Sequence, residues 1–117
     1  IKNWLGSNQL SCLYGSSNTG KSFLALDMSW HIATGRAWNG NRLSQGVVLY
    51  LATEGGNSFR NRVFALKEHY GDKNALLAVR PSPVDLFNTE VDLPTLTKLC
   101  DEIRDEKIPT VMTLQRV

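Results

Sequence analysis

A segment near the beginning of the chain combines glycines, hydroxyl side chains and one lysine at a spacing that suits polyphosphate binding. Residues 15–22 have the sequence Gly-Ser-Ser-Asn-Thr-Gly-Lys-Ser and match the P-loop pattern G-x-x-x-x-G-K-[ST]. Successive main-chain N–H groups in such a loop can wrap a multiply charged phosphate group, and glycine permits the close approach and positive φ required. The predicted ligand contacts are Gly15, Ser16, Ser17, Asn18, Thr19, Gly20, Lys21, Ser22 and Phe23.

Two side chains at the end of this segment are predicted to take part in phosphate chemistry. Lys21 would reach the β- and γ-phosphates of ATP and contribute to catalysis, and Ser22 would bind Mg²⁺. A helix that begins near Gly20 would turn its positive N-terminus toward the phosphates. ATP and Mg²⁺ are therefore the predicted ligands. The alternative is a surface loop of small residues followed by a capped helix.

Glu54 is a second candidate for a catalytic role. It follows the continuous apolar run of residues 47–52 and precedes two glycines. Ligands of open parallel sheets bind at the carboxyl ends of the strands, so a carboxylate there could orient or deprotonate an attacking water. A glutamate at the end of a strand is more commonly a solvated turn residue. We predict a catalytic role for Glu54 because the P-loop precedes it by one strand-and-helix unit.

Four other polar residues support weaker hypotheses. Arg60 and Arg62 begin the second predicted helix, where cations oppose the helix dipole. They could face a phosphate, a subunit interface, nucleic acid or simply solvent. His31 follows Asp27 by four residues, a spacing that predicts a side-chain pair on one helix rather than a metal site.

The apolar residues predict strands and helices in alternation. A continuous apolar run such as residues 47–52 is typical of a parallel strand covered on both faces. The strand–helix–strand–helix–strand–helix–strand order predicts an α/β fold with a mostly parallel sheet and no internal domain boundary. The predicted strands are residues 9–14, 47–52, 76–79 and 108–114, and the predicted helices are residues 20–34, 58–70 and 92 to about 105.

Composition indicates an ordinary globular chain. Its 117 residues are 42% hydrophobic and 21% charged, which excludes collagen, low complexity and wholesale disorder. The net charge of +2 gives no strong electrostatic footprint for nucleic acid or membrane, although basic residues outnumber acidic ones six to two in residues 1–62. Cys12 and Cys100 form no disulfide framework, which favours a reduced, cytoplasmic protein. No apolar run approaches the roughly 20 residues of a membrane span.

Three stretches beyond the P-loop carry a narrower signal. They are residues 31–38 (His-Ile-Ala-Thr-Gly-Arg-Ala-Trp), residues 46–55 (Gly-Val-Val-Leu-Tyr-Leu-Ala-Thr-Glu-Gly) and residues 62–66 (Arg-x-x-Ala-Leu). With these, residues 13–71 resemble the RecA-like ATPases of the hexameric replicative helicase type, in particular their plasmid and phage RepA-like branch. The resemblance implies a three-layer RecA-like core with Glu54 as catalytic base. It also implies a ring oligomer, for example a hexamer, that couples ATP hydrolysis to movement on single-stranded DNA.

The end of the chain departs from the pattern of that family. Met112 stands where the family places the Walker B aspartate, before Thr113, Leu114 and Arg116. We therefore expect residues 1–117 to form a single, partial RecA-like ATPase domain with feeble turnover. A partial sheet should also leave an unpaired edge and a tendency to self-associate. The alternatives are a P-loop kinase for a small acceptor and a non-catalytic nucleotide-binding fragment.

Overall fold

Helices and strands alternate along the chain. The computed structural model describes residues 1–52, 57–71, 75–81, 84–85, 87–105 and 110–115, and gives only the backbone of residues 57, 104, 105 and 110–115. The elements in chain order are α1 (Lys21–Thr34), β1 (Val47–Ala52), α2 (Asn57–Tyr70), β2 (Leu77–Arg80), α3 (Asp92–Asp105) and β3 (Thr110–Gln115).

The three strands form one parallel sheet in the order β2-β1-β3. In the middle of β1, Leu49 pairs with Ala78 on one side and with Met112 on the other. The β1 residues after Val47 are all buried, because this central strand is covered on both faces as well as both edges. This explains why its sequence is uniformly apolar rather than alternating.

Helices cover both faces of the sheet. On one face, Leu26 of α1 and Phe59 of α2 share a cluster with Tyr50 and Ala52 of β1. On the other face, Leu96 of α3 joins a cluster with the β1 residues that point the opposite way, Leu49 and Leu51. The alternation of side chains along a strand thus separates two apolar clusters. This arrangement is that of an α/β fold.

Helix α1 runs antiparallel to β1. Leu26, in its second turn, clusters with Tyr50 and Ala52 at the end of β1, whereas Ile32 and Ala33 in its last turn cluster with Val48. The main chain confirms the direction at the far end, where the N–H of Gly46 donates to the carbonyl of Ile32 at 3.2 Å. The N-terminus of α1 therefore points to the edge of the sheet at which β1 ends.

Most predicted elements are confirmed, and one is wrong. The predicted strand of residues 47–52 is found with the same bounds, and the other five confirmed elements shift by no more than two residues at an end. Residues 9–14 form no strand. Leu10 is 100% exposed and Tyr14 is 88% exposed, so this alternating segment has neither a sheet partner nor an apolar surface beneath it. An alternating sequence forms a strand only where a neighbouring strand and an apolar surface are both available.

Candidate nucleotide-binding site

The P-loop segment forms an exposed, irregular turn that leads directly into α1. Residues 15–20 contain no helix or strand and are all exposed. Asn18 and Gly20 have positive φ values of 60° and 89°. Helix α1 begins at Lys21 without a side-chain cap from Gly20. Glycine has no side chain with which to cap this helix, and the N-terminus of a helix favours an anion through its dipole and its main-chain donors.

Lys21 folds back over the loop. Its Nζ donates to the main-chain carbonyl oxygens of Gly15 at 2.8 Å and Ser16 at 2.7 Å. Thr19 closes the same turn by donating from Oγ1 to the carbonyl of Ser16 at 2.8 Å. The bonds of Lys21 hold its positive charge against the main chain of the loop. The ammonium group has three donors, so a further donor remains for a phosphate oxygen.

The two glycines of the motif serve different purposes. A Cβ at Gly15 would lie 3.3 Å from Thr19 Oγ1 and 3.7 Å from Lys21 Cδ, so a side chain there would crowd the folded lysine. A Cβ at Gly20 would meet no atom within 4 Å. Gly20 is instead required for its left-handed backbone, which places the loop at the start of the helix.

Ser22 and Phe23 complete the first turn of α1. Ser22 is half-buried and its oxygen is of the type that Mg²⁺ prefers. Phe23 is 61% exposed, and the guanidinium carbon of Arg62 lies 4.4 Å from the centre of its ring. The structure thus brings one of the two arginines of α2 next to the P-loop helix. Arg60 is exposed to solvent.

Asp27 forms a polar junction, the Asp27 hub, that joins α1 to the segments beside it. Trp38 Nε1 donates to Asp27 Oδ2 at 2.9 Å, and the Tyr70 hydroxyl donates to Oδ1 at 2.8 Å. His31 Nδ1 lies 3.6 Å from Oδ1, which confirms the predicted pair, and 2.7 Å from the Asp27 main-chain oxygen. Arg36 donates to the Tyr70 carbonyl at 3.3 Å.

The hub changes the acidity of Tyr70. Burial, the hydrogen bond to Asp27 and the negative charge of Asp27 raise the pKa of Tyr70, and nearby Arg36 offsets part of this change. The phenol therefore stays protonated and remains a donor to Asp27. Sequence reasoning found the Asp27–His31 pair from its helical spacing but missed Trp38 and Tyr70. Nothing local marks them, because they lie 11 and 43 residues from Asp27.

Glu54, the predicted catalytic base, lies outside the described residues, and its role stays a prediction. Met112 is described by its backbone. Met112 pairs with Leu49 in the middle of β1. Strand β3 continues for three more residues and ends at Gln115, which pairs with Ala52. In this register the last residue of β3 is Gln115, and none of the six β3 residues, Thr-Val-Met-Thr-Leu-Gln, carries a carboxylate.

Other features of the chain are placed as follows. Cys12 and Cys100 are free thiols. Trp30 and Trp38 are buried packing residues, whereas Trp4 is 60% exposed and lies edge-on to Trp38. Within the described ranges, no group of three or more His, Cys, Asp or Glu could hold a metal ion. No helix in these ranges is long and apolar enough to cross a membrane.

A P-loop turn at the carboxyl edge of a parallel sheet defines a nucleotide-binding α/β domain. Comparison with protein families agrees, because the model of a family described as an AAA domain matches residues 1–112. The chain belongs to this family. Family membership supports a nucleotide-binding ATPase, which usually acts with Mg²⁺. Comparison with curated proteins and with solved structures gives no match.

Proposed function

We propose that this domain binds Mg-ATP at residues 15–22 and hydrolyses it as the ATPase part of a RecA-like, helicase-type motor. The observation that carries the proposal is the position of Lys21 at the start of α1, folded over an exposed loop at the carboxyl edge of the sheet. The N-terminus of α1 and the lysine that begins this helix offer donor and positive groups beside the same loop. A triphosphate is the ligand whose charge and size suit that place.

The chemistry would be divided among three residues. Lys21 would neutralise charge on the transferred phosphate, and Ser22 would hold Mg²⁺, whose charge further stabilises the phosphate oxygens. Glu54 would accept a proton from the attacking water. Its placement is supported by chain geometry, because it follows the end of β1 by two residues and α1 starts at that same edge of the sheet.

The motor assignment rests on the resemblance of residues 13–71 to RecA-like helicases. In the Gly-Arg-Ala-Trp segment of that stretch, Arg36 donates to the end of α2 and Trp38 donates to α1. A ring oligomer and single-stranded DNA as a partner belong to the same proposal. A membrane is no part of it, and a cytoplasmic location is proposed from the two free cysteines.

One observation favours a second candidate, a nucleotide-binding domain with little or no hydrolysis. Strand β3 lies beside β1, where a P-loop ATPase would carry an acidic residue for Mg²⁺, yet it contains Met112 and ends at Gln115. Neither residue can supply a carboxylate. Binding and turnover must therefore be measured separately.

Binding is tested by calorimetric titration with Mg-ATPγS. Lys21→Ala should weaken binding roughly ten- to hundredfold, the equivalent of about 1.5–3 kcal/mol for a hydrogen bond to a charged group. Lys67→Ala, which removes an exposed lysine on α2, is the matched control and should bind like the parent. Equal binding by the parent and Lys21→Ala would refute the site.

Turnover is tested by phosphate release at saturating Mg-ATP. If Glu54 is the base, Glu54→Gln should retain ATPγS binding and lose hydrolysis. Parent turnover at or below that of Glu54→Gln would support the binding-only candidate. Stimulation of the parent by single-stranded DNA would support the motor, and hydrolysis unaffected by Glu54→Gln would remove this residue from the mechanism.

A further inference from the structure

The exposed Phe23 and the half-buried Arg62 are in contact beside the P-loop and are here called the Phe23–Arg62 pair. Phe23 is the third residue of α1 and follows Lys21 by two positions. Its ring is 61% exposed, although it sits in the first turn of a helix whose later residues are mostly buried. The Arg62 guanidinium carbon lies 4.4 Å from the centre of this ring, so the flat cationic group covers part of it.

Helix stability explains neither member of the pair. A phenyl ring left largely in water gains little from burial, and Arg62 is the sixth residue of α2, beyond the first turn in which the helix dipole acts on a charge. Their mutual attraction contributes only about 0.5–1 kcal/mol at an exposed site. Both groups have a property that a nucleotide uses, however: each presents a flat π surface on which an aromatic ring can stack.

We propose that the Phe23–Arg62 pair is the platform that holds the nucleobase of a nucleotide whose phosphates occupy residues 15–22. The inference rests on the proposed function. Phosphates anchored at the N-terminus of α1 leave the sugar and base to extend over the adjacent first turn, where Phe23 is the exposed aromatic ring. The base stacks on the pair, so that its π system faces the Arg62 cation and the Phe23 ring.

The proposal separates this pair from the phosphate-binding residues in chemical terms. Stacking depends on the base, so it should contribute to the binding of ATPγS and contribute nothing to the binding of inorganic tripolyphosphate. Lys21, in contrast, should contribute to both ligands. Every base has a π face, so stacking on aromatic side chains stabilises binding with little dependence on the identity of the base. We therefore expect only a modest preference among nucleobases.

The test is a calorimetric titration of the full chain with Mg-ATPγS and, separately, with Mg-tripolyphosphate. Phe23→Ala and Arg62→Ala should each weaken ATPγS binding roughly five- to hundredfold and leave tripolyphosphate binding unchanged. Phe23→Leu keeps an apolar side chain without a π surface and should behave like Phe23→Ala. Arg60→Ala, two residues from Arg62 and solvent-exposed, is the matched control and should bind both ligands like the parent.

Four results would overturn the platform. An equal loss for both ligands in Arg62→Ala would assign Arg62 to the phosphates instead. Unchanged ATPγS binding in both alanine variants would exclude the pair from the site. If the parent bound tripolyphosphate as tightly as ATPγS, a base platform would be excluded and the P-loop proposal would stand. If the parent bound neither ligand, the P-loop proposal would be refuted as well.

Discussion

Replacing Asp27 by alanine should destabilise the domain strongly although the residue is far from fully buried. Asp27 accepts two hydrogen bonds, from Trp38 Nε1 at 2.9 Å and from the Tyr70 hydroxyl at 2.8 Å. A hydrogen bond to a charged group contributes about 1.5–3 kcal/mol. The Asp27 side chain is 31% exposed, so solvent screening reduces each contribution. We therefore expect a loss of about 2–4 kcal/mol in the free energy of unfolding.

The position of the two donors explains why water does not compensate for the loss. Trp38 is 2% exposed, so its indole N–H would be left without an acceptor in Asp27→Ala. Tyr70, at the end of α2, would lose its link to α1. Tyr70→Phe removes only one of the two bonds and should cost about half as much. The double variant should cost less than the sum of the two single ones, because the shared bond is removed only once.

Urea unfolding monitored by tryptophan fluorescence measures this effect. Asp101→Ala, an exposed aspartate within α3, is the matched control and should change stability by less than about 0.5 kcal/mol. Asp27→Ala should lower the midpoint without changing the denaturant dependence. A loss for Asp27→Ala no larger than that of the control would show that the hub does not exist in solution.

Three other predictions concern Tyr70, Leu10 and Gly20. Burial and Asp27 raise the pKa of Tyr70 above its ordinary 10.0, so the stabilisation that Tyr70 gives is complete below pH 10.0 and is lost as the pH rises through the raised pKa. Alkaline absorbance titration of the parent should show a late phase that Tyr70→Phe lacks. Identical titration curves for the two proteins would contradict this prediction. Leu10 is 100% exposed, so Leu10→Ser should leave the urea midpoint unchanged, and a loss above about 1 kcal/mol would mean that the segment is packed in solution. The Cβ of Gly20→Ala would meet no atom, but the residue would have to adopt a φ of 89°, which is unfavourable for alanine. We therefore expect urea unfolding to show a loss of about 1–2 kcal/mol in the free energy of unfolding. An unchanged free energy would show that the loop adopts another conformation.

The elements that could be predicted from the sequence are those determined by local pattern. Residues 47–52 are uniformly apolar because β1 is central and covered on both faces, and this makes the strand recognisable without any knowledge of its partners. Helix α1 is equally clear, with a P-loop before it and Gly35 after it. The P-loop motif could be recognised for the same reason, because it consists of eight consecutive residues, and its binding of phosphate stays a proposal.

The features that could not be predicted depend on distant partners. Residues 9–14 alternate like a strand, but a strand needs a neighbouring ladder, and the sheet that the structure describes consists of β2, β1 and β3 without them. The contact of Arg62 with Phe23 and that of Tyr70 with Asp27 join residues 39 and 43 positions apart. The sequence left the role of Arg62 open among four possibilities, and only the packing of α2 on α1 places it beside the P-loop.

The two contacts between α1 and α2 act together on the candidate site. Phe23 and Asp27 are four residues apart on α1, about 6 Å along the axis, and they are held by Arg62 and Tyr70 of the same partner helix. A helix fixed at two points cannot slide or rotate against its partner without breaking one of them. The hub therefore keeps Arg62 over Phe23 before any nucleotide arrives, and a ligand that uses this pair avoids the cost of ordering it. With the proposed base platform, stability at Asp27 and affinity at the P-loop are therefore properties of one helix pair.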